Sequence, residues 1–250
     1  YLEIGALAVR DLAGNAFAGL SGSTAYNFTT AAPPDTTAPT VSFADDTPGT
    51  ASASVTYTLS FSEAVTGLGS DDFTISNGTL SSISGSGASY SVVVAPSANT
   101  EGTLGLSLKA GAVTDAAANP NALSAAPAQP IDTLAPTAQS LNPADNATGV
   151  AIDANLVLTF SEAIQRGTGT VVLKTAAGAT VATYDAATSA NLSPSGTTLT
   201  VNPSANLAYA SGYYLEIGAL AVRDLAGNAF AAGINRTICH GYAYHYPLQP

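Results

Sequence analysis

This 250-residue chain has one cysteine, no tryptophan, no methionine and few charges. A single thiol, Cys239, cannot form a disulfide within the chain, so a disulfide-stapled mini-domain is excluded. No run of 18 apolar residues occurs, and no basic stretch followed by an apolar one opens the sequence. Direct membrane insertion is therefore not expected, and no export signal is readable. Basic residues are scarce too: 6 Lys and Arg face 17 Asp and Glu, for a net charge of −11. Such a polyanion repels nucleic acid and anionic lipid, and its natural counter-charge is a cation. Both histidines, His240 and His245, sit near the C-terminal end, so no Ser–His–Asp or Cys–His arrangement can form in the body of the chain. Nor is there a P-loop, a strand followed by G-x-G-x-x-G, or an H-E-x-x-H. Paired carboxylates of a glycosidase would need aromatic platforms that 7% aromatics and no Trp do not supply. An enzyme is not expected.

What the chain does have is repetition. Tyr1 to Ala18 (YLEIGALAVRDLAGNAFA) recur unchanged at Tyr214 to Ala231, 213 positions later. An identical repeat of this length signals a modular array, and the chain reads as a piece cut from a longer repetitive protein. Two further landmarks recur. One is Asp35-Thr-Thr-Ala-Pro-Thr40, matched by Asp132-Thr-Leu-Ala-Pro-Thr137; the other is Phe61-Ser-Glu-Ala-Val65, matched by Phe160-Ser-Glu-Ala-Ile164. An Asp-x-x-Gly-Asn string stands at Asp11 to Asn15 and Asp224 to Asn228, with the variant Asp115 to Asn119 between them. These marks divide the chain into a partial unit (1–32), two full units (33–131 and 132–234) and a tail (235–250) unlike the rest.

Within the units the pattern has period 2. Val55, Tyr57, Leu59 and Phe61 alternate with Thr56, Thr58 and Ser60, as a strand with one buried face requires. Leu156, Leu158 and Phe160 behave likewise, as do Tyr90, Val92 and Val94, then Leu104, Leu106 and Leu108, and Tyr213, Leu215 and Ile217. Asn77-Gly78, Ser86-Gly87 and Ser195-Gly196 supply turns. About seven short strands per unit predict an all-β protein of tandem immunoglobulin-like antiparallel β-sandwiches. Tyr213 is then either a tyrosine corner or an ordinary core tyrosine. In the tail, either Thr237 to Tyr244 supply a last strand, or the third sandwich lacks one and accepts Ser23 to Thr30 of another chain.

Residues 132–231, with PADNATGV, LTFSEAI, GTGTVVL and VRDLAGN, resemble the bacterial Ig-like domain of S-layer proteins. Residues 33–131, with DTTAPTVSF, LSFSEAVTG and DDFTISNGTL, resemble a sister bacterial Ig-like repeat of adhesins. The resemblance implies an extracellular or bacterial cell-surface protein in which such modules are stalks or spacers. It further implies neighbouring modules of the same chain as partners, and a host-surface or matrix ligand reached through other domains. One departure is Ala118 in place of the Gly of Asp-x-x-Gly-Asn, which argues against a left-handed turn there.

Topology then locates the acidic residues. In an Ig sandwich the chain enters at one pole, and strands B, D and F end at that pole. Glu63, Asp71, Asp72 and Asp115, with linker Asp35, are expected to gather there in the second unit; Asp132, Glu162, Asp224 and Asn228 do so in the third. Ca²⁺, which takes six to eight oxygens in flexible geometry, suits such a set. The alternative is that Asp and Asn cap tight turns while Glu63 and Glu162 stay solvated. Two other functions fit an Ig-like module: recognition of carbohydrate or protein, and an accessory role in an extracellular hydrolase. Cys239, His240 and His245 match no zinc spacing. Lys109 and Lys174 raise the thought of an isopeptide crosslink, with nothing in their surroundings to favour it.

Overall fold

The structure, a computed structural model, describes residues 2–24 and 26–230. It divides into two compact units, residues 1–37 and 38–250. The second unit holds two sandwiches in series.

The first sandwich comprises β1 (Val41–Asp45), β2 (Val55–Val65), β3 (Phe73–Ser76), β4 (Gly78–Pro96), β5 (Glu101–Leu108), β6 (Ser124–Ala125) and β7 (Gln129–Asp132). One sheet runs β1-β2-β4 and the other joins β3, β5, β6 and β7, all antiparallel. β4 doubles back on itself. Nineteen extended residues would span about 60 Å, yet the Ser97 N–H donates to the Asn77 carbonyl at 2.9 Å. The reversal falls at Gly85 and Gly87, both at positive φ, where Ser86-Gly87 signals a turn. The core is the period-2 set: Val55, Tyr57, Leu59, Phe61, Val92, Val94, Leu104, Leu106 and Leu108 are all buried.

The second sandwich comprises β8 (Ala138–Asn142), β9 (Leu156–Phe160), β10 (Ile164–Arg166), β11 (Thr170–Thr175), β12 (Thr180–Asp185), β13 (Leu192–Ser195), β14 (Thr198–Val201), β15 (Tyr213–Ile217) and β16 (Val222–Asp224). Its sheets are β13-β14-β9-β8 and β12-β11-β15, with β10 paired to β16. Leu156, Leu158, Phe160, Leu173, Leu215 and Phe230 fill a separate core. Tyr213 is buried, and its hydroxyl accepts the Ala208 N–H at 2.8 Å, the backbone-directed bond of a tyrosine corner. No α-helix occurs among the described residues, and none there is long and apolar enough to cross a membrane. The tail with Cys239, His240, His245 and the candidate last strand lies outside the described residues.

The first unit is a short irregular segment with two isolated bridges, Ile4 to Leu20 and Arg10 to Ala16.

Candidate metal centre

The Phe-Ser-Glu-Ala segments mark the point where a strand breaks register and changes its pairing partner. β9 stops at Phe160; after three intervening residues β10 begins and pairs with β16, opposing Ile164 to Asp224. The same crossing occurs in the first sandwich, where β2 loses its register between Ser60 and Val65 and Thr66 bridges Thr114. The glutamate therefore sits where the strand swings toward the turn that carries the aspartate. That crossing puts Glu162 beside Asp224 and Glu63 beside Asp115.

Serine next to each glutamate fastens the linker. The Ser161 N–H donates to the Thr137 carbonyl (2.8 Å), and the Thr137 N–H donates to the Ser161 hydroxyl oxygen (3.0 Å). Ser62 and Thr40 repeat both bonds at 2.9 and 3.0 Å. Sequence reasoning passed over both serines. The signal was available, because each stands inside a recurring motif at a fixed offset from a recurring Thr.

The Asp-x-x-Gly-Asn string builds a self-contained turn. In the second sandwich the Asn228 backbone and side-chain amides donate to the two carboxylate oxygens of Asp224, each at 2.7 Å. Asn119 does the same to Asp115, at 2.8 Å for both bonds, and Asn15 to Asp11, also at 2.8 Å. Donation by Asn119 holds the Asp115 carboxyl below the usual carboxylate range, as Asn15 does for Asp11. The fourth residue has positive φ in every copy: Gly14 at 87°, Ala118 at 69° and Gly227 at 97°. The expectation that Ala118 abandons the left-handed turn is thus corrected. The carboxylate clamp holds the turn in place despite the methyl group.

These devices converge. Carboxylate oxygens of Asp132, Glu162 and Asp224 lie within 4.8 Å of one another. Asp132 ends β7 of the first sandwich, so the trio spans the junction between the two sandwiches. The Asn228 amide donates to the Asp132 carbonyl at 2.9 Å and ties the turn to that linker. Asn228 thus orients Asp224 and Asp132 with its nitrogen, leaving only its oxygen as a ligand atom. Glu101 faces Asp132 across the β5–β7 ladder. Asp224 is 1% exposed, and one oxygen of Glu162 is buried with no hydrogen-bond partner. Burial first, then the charges of Asp224, Asp132 and Glu101, push the Glu162 carboxyl up to about 7. No lysine or arginine among the described residues pairs with the trio; the Lys174 ammonium instead meets Glu216 at 2.7 Å, across β11 and β15.

In the first sandwich Glu63 and Asp115 bring carboxylate oxygens within the same 4.8 Å. Asp35 belongs to the unit 1–37, where its carboxylate accepts the Thr37 N–H at 2.9 Å. Asp71 and Asp72 join neither group. They lie in a single 3₁₀ turn, Ser70–Asp72, where Asp72 accepts the Gly69 N–H at 2.6 Å and Lys109 donates to the Asp71 carbonyl at 2.5 Å. Local turn chemistry uses the Asp72 carboxylate, and the Asp71 side chain accepts from the Ser70 hydroxyl at 3.4 Å, where the topological argument had sent both to the pole.

Comparison with known proteins agrees with this architecture. Residues 35–129 match one family model, and residues 132–240 a second; each is described as a bacterial Ig-like domain. The chain carries bacterial Ig-like domains in tandem, and such domains suggest repeat modules of surface proteins. No curated protein matches it. Among solved structures it is similar to the full ectodomain (Ig1–Ig3) of mouse nectin-like molecule 4. That likeness has 12% identity and a TM-score of 0.26, and covers 85% of this chain and 67% of the other.

Proposed function

We propose that these domains are non-catalytic spacers of a bacterial surface protein, and that Ca²⁺ stiffens the junction between successive sandwiches. The observation that carries the reading is the trio Asp132, Glu162 and Asp224, drawn from linker, strand crossing and turn. Oxygens bound to one Ca²⁺ at 2.3–2.6 Å lie no more than about 5 Å apart, which these do. Three carboxylates converge here with one oxygen buried and unpartnered, and no basic side chain of the described residues neutralises them. A divalent cation supplies the missing charge. Because Asp132 also ends the preceding sandwich, a bound ion restrains the angle between the two. Repeats fixed in this way extend a chain and present whatever lies beyond them.

Melting the chain in EDTA and in excess Ca²⁺ tests this. At 100 times the dissociation constant, binding adds about 2.7 kcal/mol. For a module of about 100 residues that corresponds to roughly 10 °C or more. A Tm unchanged within about 1 °C would overturn the proposal.

A further inference from the structure

The closing strand of the first sandwich is bonded along both edges. On one side β7 pairs with β5, from Glu101 opposite Asp132 to Leu104 opposite Gln129. On the other lies a strap, residues 49–51, that runs parallel to β7 and bridges it through Ala51 and Ile131. The Ala51 N–H donates to the Pro130 carbonyl and the Asp132 N–H to the Ala51 carbonyl, each at 2.9 Å. Buried Gln129 adds its side-chain amide to the Gly49 carbonyl at 2.6 Å.

The strap is one rung short. In a strand the N–H and C=O of one residue lean to the same side, so the Asp132 carbonyl points where its N–H does. A longer strap would offer it the amide of residue 53, but the chain bends at Ser52 and Ala53. Asn228 of the second sandwich takes that place, donating its side-chain amide to the Asp132 carbonyl at 2.9 Å. The same nitrogen donates to the Asp224 carboxylate at 2.7 Å, which aims it. Asp132 thus gives its N–H to one sandwich and its C=O to the other. Thr133 fixes the exit that follows. Its N–H donates to the Thr100 carbonyl and its hydroxyl accepts the Thr100 N–H, each at 2.9 Å, while the hydroxyl donates to the Ser97 carbonyl at 2.7 Å.

We propose that the second sandwich locks the closing strand of the first, with Asn228 supplying the rung that the strap leaves out. The two sandwiches are then coupled through the main chain of Asp132, with or without an ion at its carboxylate. Such coupling is reciprocal: whatever loosens the strap also loosens the turn from Asp224 to Asn228, and the converse. A module followed by another is therefore harder to open at its last strand than its own bonds make it, a nearest-neighbour term of the kind that repeat arrays use.

Hydrogen exchange of the full chain tests this, run in EDTA so that metal binding plays no part. Asn228→Ala should speed exchange of the Ala51, Asp132 and Thr133 amides about fivefold, the worth of one hydrogen bond, while the β2–β4 ladder keeps its protection. Gln129→Ala lies wholly within the first sandwich. It should nevertheless speed exchange of the Asn228 backbone amide, which donates to the Asp224 carboxylate at 2.7 Å. The proposal is overturned if Asn228→Ala leaves the Ala51 and Asp132 amides exchanging as in wild type, or if Gln129→Ala leaves the Asn228 amide unchanged. If Asn228→Ala unfolds the second sandwich, seen as lost protection throughout β9 and β14, the response of Asn228 to Gln129→Ala decides alone.

Discussion

Replacing Ala118 by glycine should stabilise the first sandwich, and the size of the effect can be worked out from its turn. Ala118 has φ 69°, where Cβ crowds the carbonyl and an L-residue loses about 1–2 kcal/mol. Glycine removes that cost but adds about 0.5–1 kcal/mol of backbone entropy lost on folding. The balance is a gain of about 0.5–1 kcal/mol, or roughly 2–8 °C in the Tm of a module of about 100 residues. Gly227→Ala in the second sandwich is the mirror experiment. A Cβ built at Gly227 meets nothing within 4 Å, so backbone strain alone should destabilise that sandwich by a similar amount. Both variants are read by chemical denaturation, following the midpoint at unchanged m-value. If Ala118→Gly is neutral or destabilising while Gly227→Ala costs the expected amount, the strain argument fails for Ala118. The turn would then relax around alanine.

Three further outcomes probe the junction. Glu162→Gln removes one carboxylate from among Asp132, Asp224 and Glu101, so it should raise the Tm in EDTA at pH 8. It should weaken calcium about tenfold, or 1.4 kcal/mol, as calorimetric titration will read. The pH dependence follows from the raised Glu162 carboxyl, about 7 in the fold against 4.5 ordinarily. Without metal, its contribution to stability is complete below about 4.5 and lost as pH rises through about 7. Calcium requires the ionised form, so the increment in Tm on adding calcium should shrink between pH 8 and pH 5.5. Ser161→Ala removes the acceptor for the Thr137 N–H (3.0 Å) and should cost about 0.5–1.5 kcal/mol in EDTA melts; an unchanged Tm would show the linker clamp to be idle.

Much of the fold was legible because period 2 is a strong signal when one face is buried. Each alternating set from Val55 to Phe61 and from Tyr213 to Ile217 lies in a core. Turn residues worked for the same reason: Asn77, Gly87 and Gly196 all have positive φ. The change of pairing partner at Phe-Ser-Glu-Ala was not legible. Alternation continues through Phe61 and Phe160, and nothing in the residue types says that the pairing changes by Val65 and Ile164, four positions later. The clustering of Glu162 with Asp224 was still inferred, since it needed only the pole of the sandwich. The misplacement of Asp71 and Asp72 has the opposite cause. A pole is wider than one ion, and acids brought to the same loop can be consumed by the nearest backbone amide, as Asp72 is by Gly69.

The identical segments separate what a short sequence encodes from what it borrows. Asp11 and Asp224 hold their asparagines at the same distances within about 0.1 Å, although one is exposed and the other 1% exposed. The turn is therefore written in its five residues, with carboxylate, amide and left-handed position closing on one another. Burial is not written there, because Val9 and Val222 are the same residue with opposite solvent contact. What decides it is whether β9 and β11, or their equivalents, stand opposite. The carboxylate trio belongs to this second category. Asp224 arrives in a preformed turn, but Glu162 and Asp132 join it only through the strand crossing and the linker clamp. Asp11, with the same turn and without those partners, should show no calcium affinity of its own. A titration of the peptide Tyr1–Ala18 that detects binding as tight as in the full chain would mean that the turn alone holds the ion, and the junction would lose its role.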